Sequence, residues 1–230
     1  MRFTPNYNAT RWLALFDLLG TRDLLAAGKE LQVFLAYEQA VDELRRRGDR
    51  NATIQQTWFS DTFVIIGPDD SGPSFAWVDR MSRWFVYFLL QAQIPLRGAI
   101  SCGRVYADFD EGIFFGRSLV EAYEYGDGQD WIGLLLCPSA TERLEALGLP
   151  ASGRLNYTFA DVPWKRPPRG APAHLPACIL GNWITVNDRN PCLDALQAMA
   201  SHIAAVPVRE KYLRAIAFIE ANRRMPLQNG

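Results

Sequence analysis

Apolar residues fill every position from Trp12 to Leu18 except Asp17, a run short and continuous enough to predict a buried strand. Gly20-Thr21 then predicts a tight turn whose amides face an anion at the start of the next helix. From Arg22 to about Arg47, Leu24, Leu25, Leu31, Phe34, Leu35, Ala40, Val41 and Leu44 recur at mostly helical spacing. That helix is expected to stop at Gly48, with Gly28 marking a break inside it. Thr53 to Trp58 and Thr62 to Ile66 read as strands joined through Phe59-Ser60-Asp61, which sets Asp61 at or near a hairpin tip.

Pro68 through Pro73 is rich in turn formers, and Ser74 to Gln93 predicts an apolar helix ended before Pro95, with Arg80 and Arg83 as its solvated positions. Leu96 to Cys102 reads as a strand beginning with Arg97; Gly103-Arg104 turns into a second strand, Val105 to Asp108, followed by an acidic loop to Gly112. Ile113-Phe114-Phe115 leads through Gly116 into a helix, Ser118 to Tyr125, N-capped by Ser118 with Glu121 as capping-box partner and ended by Gly126 and Gly128. Trp131 to Cys137 predicts a strand and Ser139 to Leu147 a helix. Leu155 to Val162 and Ala177 to Val186 read as late strands on either side of a Pro/Gly/Arg-rich loop, Pro163 to Pro176. Cys192 to Val206 and Pro207 to Arg224 close the chain as a helical pair.

The order is the ferredoxin-like βαββαβ, then α-β and the appended helices, which predicts an α+β fold: a largely antiparallel sheet with helices packed on one face. With 230 residues and 49% hydrophobic composition, one packed domain over residues 1–230 is expected, its core at about 11–186 and its C-terminal helices at about 192–224.

The formal charge is -1 and the pI about 6.1, so bulk electrostatics make no case for nucleic acid or an anionic membrane surface as partner. Any anionic substrate has to be met by local basic residues. The most apolar later segment, Trp84 to Leu90, is far too short to span a bilayer, and Asp17 interrupts the first apolar run well short of a signal-peptide core. Cys102, Cys137, Cys178 and Cys192 are far apart and form no C-x-x-C pair, which argues against structural zinc and points to a reducing cytoplasm.

A carboxylate inside strand-forming sequence must meet solvent, a hydrogen-bond donor or a cation. Asp17 and Asp61 both sit in that position, and a glycine turn follows the first. That fits a two-metal site for phosphoryl transfer: Asp17, Asp61 and the Leu18 carbonyl hold two Mg²⁺ or Mn²⁺ ions, and the backbone of Leu18, Leu19, Gly20 and Thr21 cradles phosphates. The same pattern is met if Asp17 caps the next helix and Asp61 only occupies a turn. Arg97 at a strand start, Arg104 and Arg117 beside turn glycines, and Lys165 beside Trp164 in the proline-rich loop are candidate phosphate or transition-state groups; each also reads as a solvated surface charge. His174 and His202 lack a second histidine at helical spacing and do not read as metal ligands. Trp77, Trp84, Phe85, Tyr87 and Phe88 read as core or dimer surface.

Taken in order, four segments resemble the catalytic domain of class III nucleotidyl cyclases over roughly residues 11–186. Phe16-Asp17-Leu18-Leu19-Gly20-Thr21 looks like the first metal motif and Phe59-Ser60-Asp61 like the second. Leu96-Arg97-Gly98-Ala99-Ile100-Ser101-Cys102-Gly103 is similar to the arginine-started strand, and Phe115-Gly116-Arg117-Ser118-Leu119-Val120-Glu121-Ala122 to the glycine-to-helix segment. More narrowly, the chain resembles the compact bacterial pyrimidine cyclases of the Pycsar antiphage systems, to which Val120-Glu121-Ala122-Tyr123 and Val162-Pro163-Trp164-Lys165 also point. The resemblance implies a homodimer with composite sites, conversion of UTP or CTP to a 3′,5′-cyclic nucleotide and pyrophosphate, and a separate effector that senses the product.

There are departures. Where purine cyclases commonly carry a base-reading lysine, four residues before the second aspartate, this chain has Thr57; where they place an acidic or polar reader it has Ile113. Loss of both implies a smaller base. The helix positions of the family's asparagine and transition-state arginine read Val120 and Glu124, which leaves that role to Arg97, Arg104, Arg117 or Lys165. An inactive cyclase-like module that binds nucleotide, or a purine cyclase, is the rival expectation.

Overall fold

The computed structural model describes residues 9–47, 55–59, 61–108, 111–151, 156–184 and 189–222. Gly48, Thr53, Ser60, the middle of the acidic loop at 109–110, Leu155, Val186 and Arg224 lie outside the described residues. The elements run β1 (Thr10–Leu18), α1 (Thr21–Ala26), α2 (Glu30–Arg47), β2 (Gln55–Phe59), β3 (Thr62–Ile66), α3 (Gly72–Gln91), β4 (Leu96–Arg104), β5 (Tyr106–Asp108) and β6 (Ile113–Phe115). Then follow α4 (Arg117–Gly128), β7 (Leu134–Leu136), α5 (Pro138–Ala146), β8 (Tyr157–Asp161), β9 (His174–Cys178), α6 (Pro191–Ser201) and α7 (Val206–Asn222).

Seven strands form one sheet in the order β2-β3-β1-β4-β7-β9-β8. Every pairing is antiparallel except β4 with β7. The fold is thus the expected α+β arrangement with a mostly antiparallel sheet. Strand β1 lies inside the sheet, between β3 and β4, and both of its faces are apolar. Trp12, Ala14 and Phe16 join the core shared with α2 and α3, while Leu13 and Leu15 pack with Val64, Ile66 and Ala122 of α4. A sheet covered on one face alone would need polar residues at alternate positions of β1. Helix α4 therefore covers the second face, a correction to helices packed on one face only. Phe63 and Phe85, both fully buried, stack with ring centroids 4.0 Å apart; burial of each such side chain contributes about 1.5–3 kcal/mol.

The helical run after β1 divides at Gly28, whose φ of 67° is left-handed, so α2 starts afresh at Glu30. Helix α3 begins at Gly72, earlier than expected, because Ser71 is its N-cap and accepts from the Ser74 amide. Arg80 is exposed, but Arg83 is not the solvated residue expected. Its guanidinium forks onto Asp79 at 3.0 to 3.3 Å and lies over the Trp183 ring, 4.8 Å from its centroid. Strand β4 runs on through Gly103-Arg104 and bends at buried Val105; β5 then leaves the sheet to pair with β6 alone.

Ser118 does not cap α4. Gly116 holds that position without a side-chain bond, and the Ser118 hydroxyl meets Ser101 Oγ at 2.7 Å on β4. Glu121 reaches sideways to the Ser139 amide, at 3.2 Å, at the start of α5. Gly126 lies inside α4, where it packs near Leu15 and Ala99, and burial of that helix face outweighs its low propensity. The strand expected from Ala177 is centred earlier, at His174–Cys178. Its proline hid it, yet burial of Leu175, Ala177 and Cys178 wins over the missing Pro176 amide. Helix α6 packs on α3 and α7 on α6, and the two contribute Leu196, Tyr212, Ala215 and Ile219 to the main core.

Candidate functional site

Asp17 is the next-to-last residue of β1 and stands opposite Thr62 of β3 on one side and Arg97 of β4 on the other. The Leu18 amide donates to the Asp61 carbonyl at 2.9 Å, which fixes the turn before β3 against the end of β1. Two acidic residues far apart in sequence are thus brought to one edge. The charge of Asp61 acts on Asp17, and both act on Tyr37 of α2, a buried phenol raised by burial and then by these two carboxylates. Tyr37 has no sequence signal beyond its place in an apolar helix face.

The dominant contact of Asp17 is Arg97. Its Nε and Nη2 donate to Asp17 Oδ2 at 2.9 and 2.8 Å, its Nη2 also meets Asp127 Oδ1, and its Nη1 donates to the Gln129 carbonyl at 2.6 Å. The Arg97 side chain is only 5% exposed. Burial pushes the Asp17 carboxyl above its ordinary value, Arg97 pulls it back, and the charges of Asp61 and Asp127 push it up again.

Asp127 and Gln129 were not legible as functional residues: they stand at the end of α4, where glycines read only as a helix stop. Gln129 is fully buried and satisfied. Its Nε2 donates to the carbonyls of Gly98 and Tyr125 at 3.0 and 2.9 Å, and its Oε1 accepts from Trp131 Nε1 at 2.7 Å. This rivets the end of α4 to β4 and aims the Gln129 carbonyl at Arg97.

Lys165 joins the same end of the molecule. Its backbone amide donates to the Gly128 carbonyl at 2.8 Å, and its exposed Nζ lies 3.7 Å from Asp127 Oδ1. Trp164, half-buried, packs against Gly128 and edge-on to Tyr125, with centroids 5.9 Å apart.

Arg104 and Arg117 are elsewhere. Both are exposed, Arg104 at the far end of β4 and Arg117 at the start of α4, where Gly116 abuts the Arg104 carbonyl. Seven residues of strand separate Arg104 from Arg97, about 23 Å. Within one chain these two arginines do not reach Asp17.

The turn after β1 also differs from expectation. The amides of Leu18 and Leu19 are taken by the carbonyls of Asp61 and Pro95, both at 2.9 Å, so they cannot cradle phosphate. Gly20, left-handed with φ 73°, precedes α1 without a side-chain cap, and the amides of Gly20 and Thr21 donate to no carbonyl among the described residues. The Thr21 hydroxyl turns back to the Leu18 carbonyl at 3.4 Å. Thr57, half-buried on β2, faces Val64, which in turn faces Leu15. Two strand spacings and one pleat from Asp17 place it about 12 Å away on the same sheet face.

Among the described residues no group of three or more His, Cys, Asp or Glu side chains gathers to hold a metal ion. Asp17 and Asp61 nevertheless fit a divalent cation. Both bonds from Arg97 go to Oδ2 of Asp17, leaving Oδ1 without a hydrogen bond among the described residues, and the neighbouring carboxylates disfavour its ionised form until a cation offsets them. All four cysteines are free and buried, and no helix among the described residues is long and apolar enough to cross a membrane.

No family model and no curated protein sequence matches the chain. Solved structures do match in fold. The catalytic core of a rhodopsin-guanylyl cyclase with converted specificity, in complex with ATPalphaS, gives a TM-score of 0.57 at 9% identity, covering 74% of this chain and 96% of that one. The guanylate cyclase domain of RhGC from Catenaria anguillulae, in complex with GTP, gives 0.52 at 10% identity, covering 74% and 94%. The adenylyl cyclase CyaB from P. aeruginosa gives 0.50 at 11% identity, covering 73% and 92%. The chain has the fold of class III nucleotidyl cyclase catalytic domains.

Proposed function

We propose that this chain is a nucleotidyl cyclase that converts UTP or CTP to the 3′,5′-cyclic nucleotide and pyrophosphate, acting as a homodimer in antiphage signalling. The observation that carries the reading is the convergence of Asp17 and Asp61 at the ends of β1 and the β2-β3 turn, with Arg97 and Lys165 beside them. The similarity of the fold to guanylyl and adenylyl cyclases supports it.

Asp17, Asp61 and the Leu18 carbonyl would hold two Mg²⁺ or Mn²⁺ ions. Bound there, such ions lower the pKa of the ribose 3′-hydroxyl and offset triphosphate charge. The 3′-hydroxyl gives its proton to water as its oxygen attacks the α-phosphorus, the bond from that phosphorus to the α–β bridging oxygen breaks, and pyrophosphate leaves in line. Arg97 holds Asp17 in one rotamer, so the free Oδ1 keeps its direction. Lys165 and the open amides of Gly20 and Thr21 meet the β- and γ-phosphates. Thr57 supplies a short neutral hydroxyl to the base in place of a lysine, and the absence of an acidic or polar reader at Ile113 agrees with a pyrimidine. Arg104 and Arg117, remote from Asp17 in their own chain, serve the second copy's site in a head-to-tail dimer, with the product read by a separate effector.

The deciding experiment is incubation with each of the four nucleoside triphosphates and Mn²⁺, with products resolved by mass. A cyclic pyrimidine nucleotide is expected; cyclic products from ATP or GTP alone would replace the pyrimidine reading with a purine cyclase. The exposure of Val120 and Glu124, where the resemblance expects an asparagine and an arginine, favours a second reading, an inactive nucleotide-binding module. Nucleotide binding that persists in EDTA, without turnover of any of the four, selects it.

A further inference from the structure

The third contact of Arg97 is the Gln129 carbonyl, at 2.6 Å. That carbonyl belongs to the peptide joining Gln129 to Asp130, and the N–H of the same peptide donates to the Pro163 carbonyl at 2.7 Å. The peptide plane is therefore held at both edges. The following residue is gripped by the C-terminal helix. Arg214 of α7 donates from Nη1 to the Asp130 carbonyl at 3.0 Å and to its carboxylate as well, and Lys211 Nζ lies 3.8 Å from that carboxylate. Glu210 accepts from Arg214 Nη2 at 3.2 Å, which orients the guanidinium on its own helix. Trp131, one residue further on, meets Phe218 of α7 edge-on with centroids 4.9 Å apart.

We infer that Arg214 and Asp130 are positioning residues for the Arg97–Asp17 pair, so that α7 fixes the wall from which Arg97 is held. The consequence for metal binding and turnover rests on the reading of Asp17 given above; the contact chain from α7 to Arg97 does not. An ion pair serving only to dock α7 would change stability and leave Arg97 as it is. A positioning role moves Arg97 itself, because Asp130, the residue that follows the Gln129 carbonyl, loses its anchor on α7 while the Gln129 side chain keeps its own bonds.

The test reads solvent exchange of the Arg97 Nε–H in the full, metal-free, ¹⁵N-labelled chain, the signal being identified by its loss in Arg97→Lys. Arg214→Ala is expected to speed that exchange about tenfold, with Arg214→Lys in between. In the same variant Mn²⁺ affinity falls about threefold, and kcat falls while the KM for triphosphate stays within about twofold. Gln197→Ala removes an α6–α7 hydrogen bond to Glu220 at 3.3 Å and is expected to leave Arg97 unchanged. Unaltered Arg97 exchange in Arg214→Ala, or equal acceleration in Gln197→Ala, overturns the inference; should Arg214→Ala fail to fold, Asp130→Asn is judged by the same criteria. The exchange measurement needs no metal, nucleotide or turnover, so a wild-type chain that cyclises nothing overturns the proposed reaction and leaves the clamp standing.

Discussion

Arg97 directs Nε and Nη2 to a single oxygen of Asp17, at 2.9 and 2.8 Å. The pair joins the first and third motifs of the chain across adjacent strands, and it makes Arg97 the residue that holds the Asp17 carboxylate rather than a side chain free to meet phosphate. Arg97→Met is expected to destabilise the chain by about 2–4 kcal/mol in urea unfolding, somewhat below the usual cost of orphaning a buried charge because Asp17 is 22% exposed. A loss under about 1 kcal/mol would show that water replaces the guanidinium without strain.

Asp17→Asn and Asp61→Asn are expected to abolish turnover while leaving the fold intact, since an asparagine oxygen at position 17 still accepts from Arg97 and residue 61 holds the Leu18 amide through its backbone carbonyl. Circular dichroism and size-exclusion profiles should match wild type, and Mn²⁺ binding should be lost. Near-normal rates in either variant would remove that residue from the metal set.

The raised pKa of Asp17 gives a pH prediction with a definite sign. A cation binds the ionised carboxylate, so Mn²⁺ affinity falls as pH drops through the folded pKa, which lies above the ordinary 3.8. In the metal-free chain the sign for stability is opposite. Between the raised folded value and 3.8 the folded state takes up a proton that the unfolded state does not, so this group favours folding as pH falls through that window. Asp127→Asn removes one charge that raises Asp17 and is expected to move the Mn²⁺ affinity loss to lower pH, as read by titration calorimetry. Movement to higher pH would mean that Asp127 acts mainly by holding Arg97.

Much of this site was legible because strands write their chemistry locally. Asp17 stands out in β1, Arg97 opens β4 and Asp61 sits in a turn, and antiparallel registry brings them together. What stayed hidden depends on helix direction and on contacts distant in sequence. Asp127 and Gln129 acquire their roles because α4 crosses back over β4, and the amides of Leu18 and Leu19 are occupied because the neighbouring carbonyls of Asp61 and Pro95 reach them first. Arg83 read as solvated from its charge alone, yet a carboxylate one turn earlier and the Trp183 ring make burial affordable.

On the opposite face from α4, Tyr157 donates to Asp79 Oδ1 at 2.7 Å, completing the buried Asp79–Arg83 pair. Tyr157→Phe deletes a hydrogen bond to a charged acceptor and is expected to cost about 1.5–3 kcal/mol. The network does not touch Asp17 or Arg97, so kcat should stay near wild type. A large fall in kcat would mean that the two faces of the sheet are coupled.

The placement of Arg104 and Arg117 far from Asp17 makes the dimer proposal testable without a structure of the dimer. If Arg117 acts on the partner's site, Arg117→Ala and Asp17→Asn are each inactive as homodimers. Mixed in equal amounts with free exchange, half of the dimers pair one variant with the other. In each of these, one site has both lesions and the other has neither, so about a quarter of wild-type activity should return. Arg117 acting within its own chain gives a different result: each heterodimer then carries one lesion in each of its two sites, no site is intact, and the mixture stays inactive. Recovery near a quarter therefore assigns Arg117 to the second copy, and no recovery from two variants shown to exchange subunits removes it from that role.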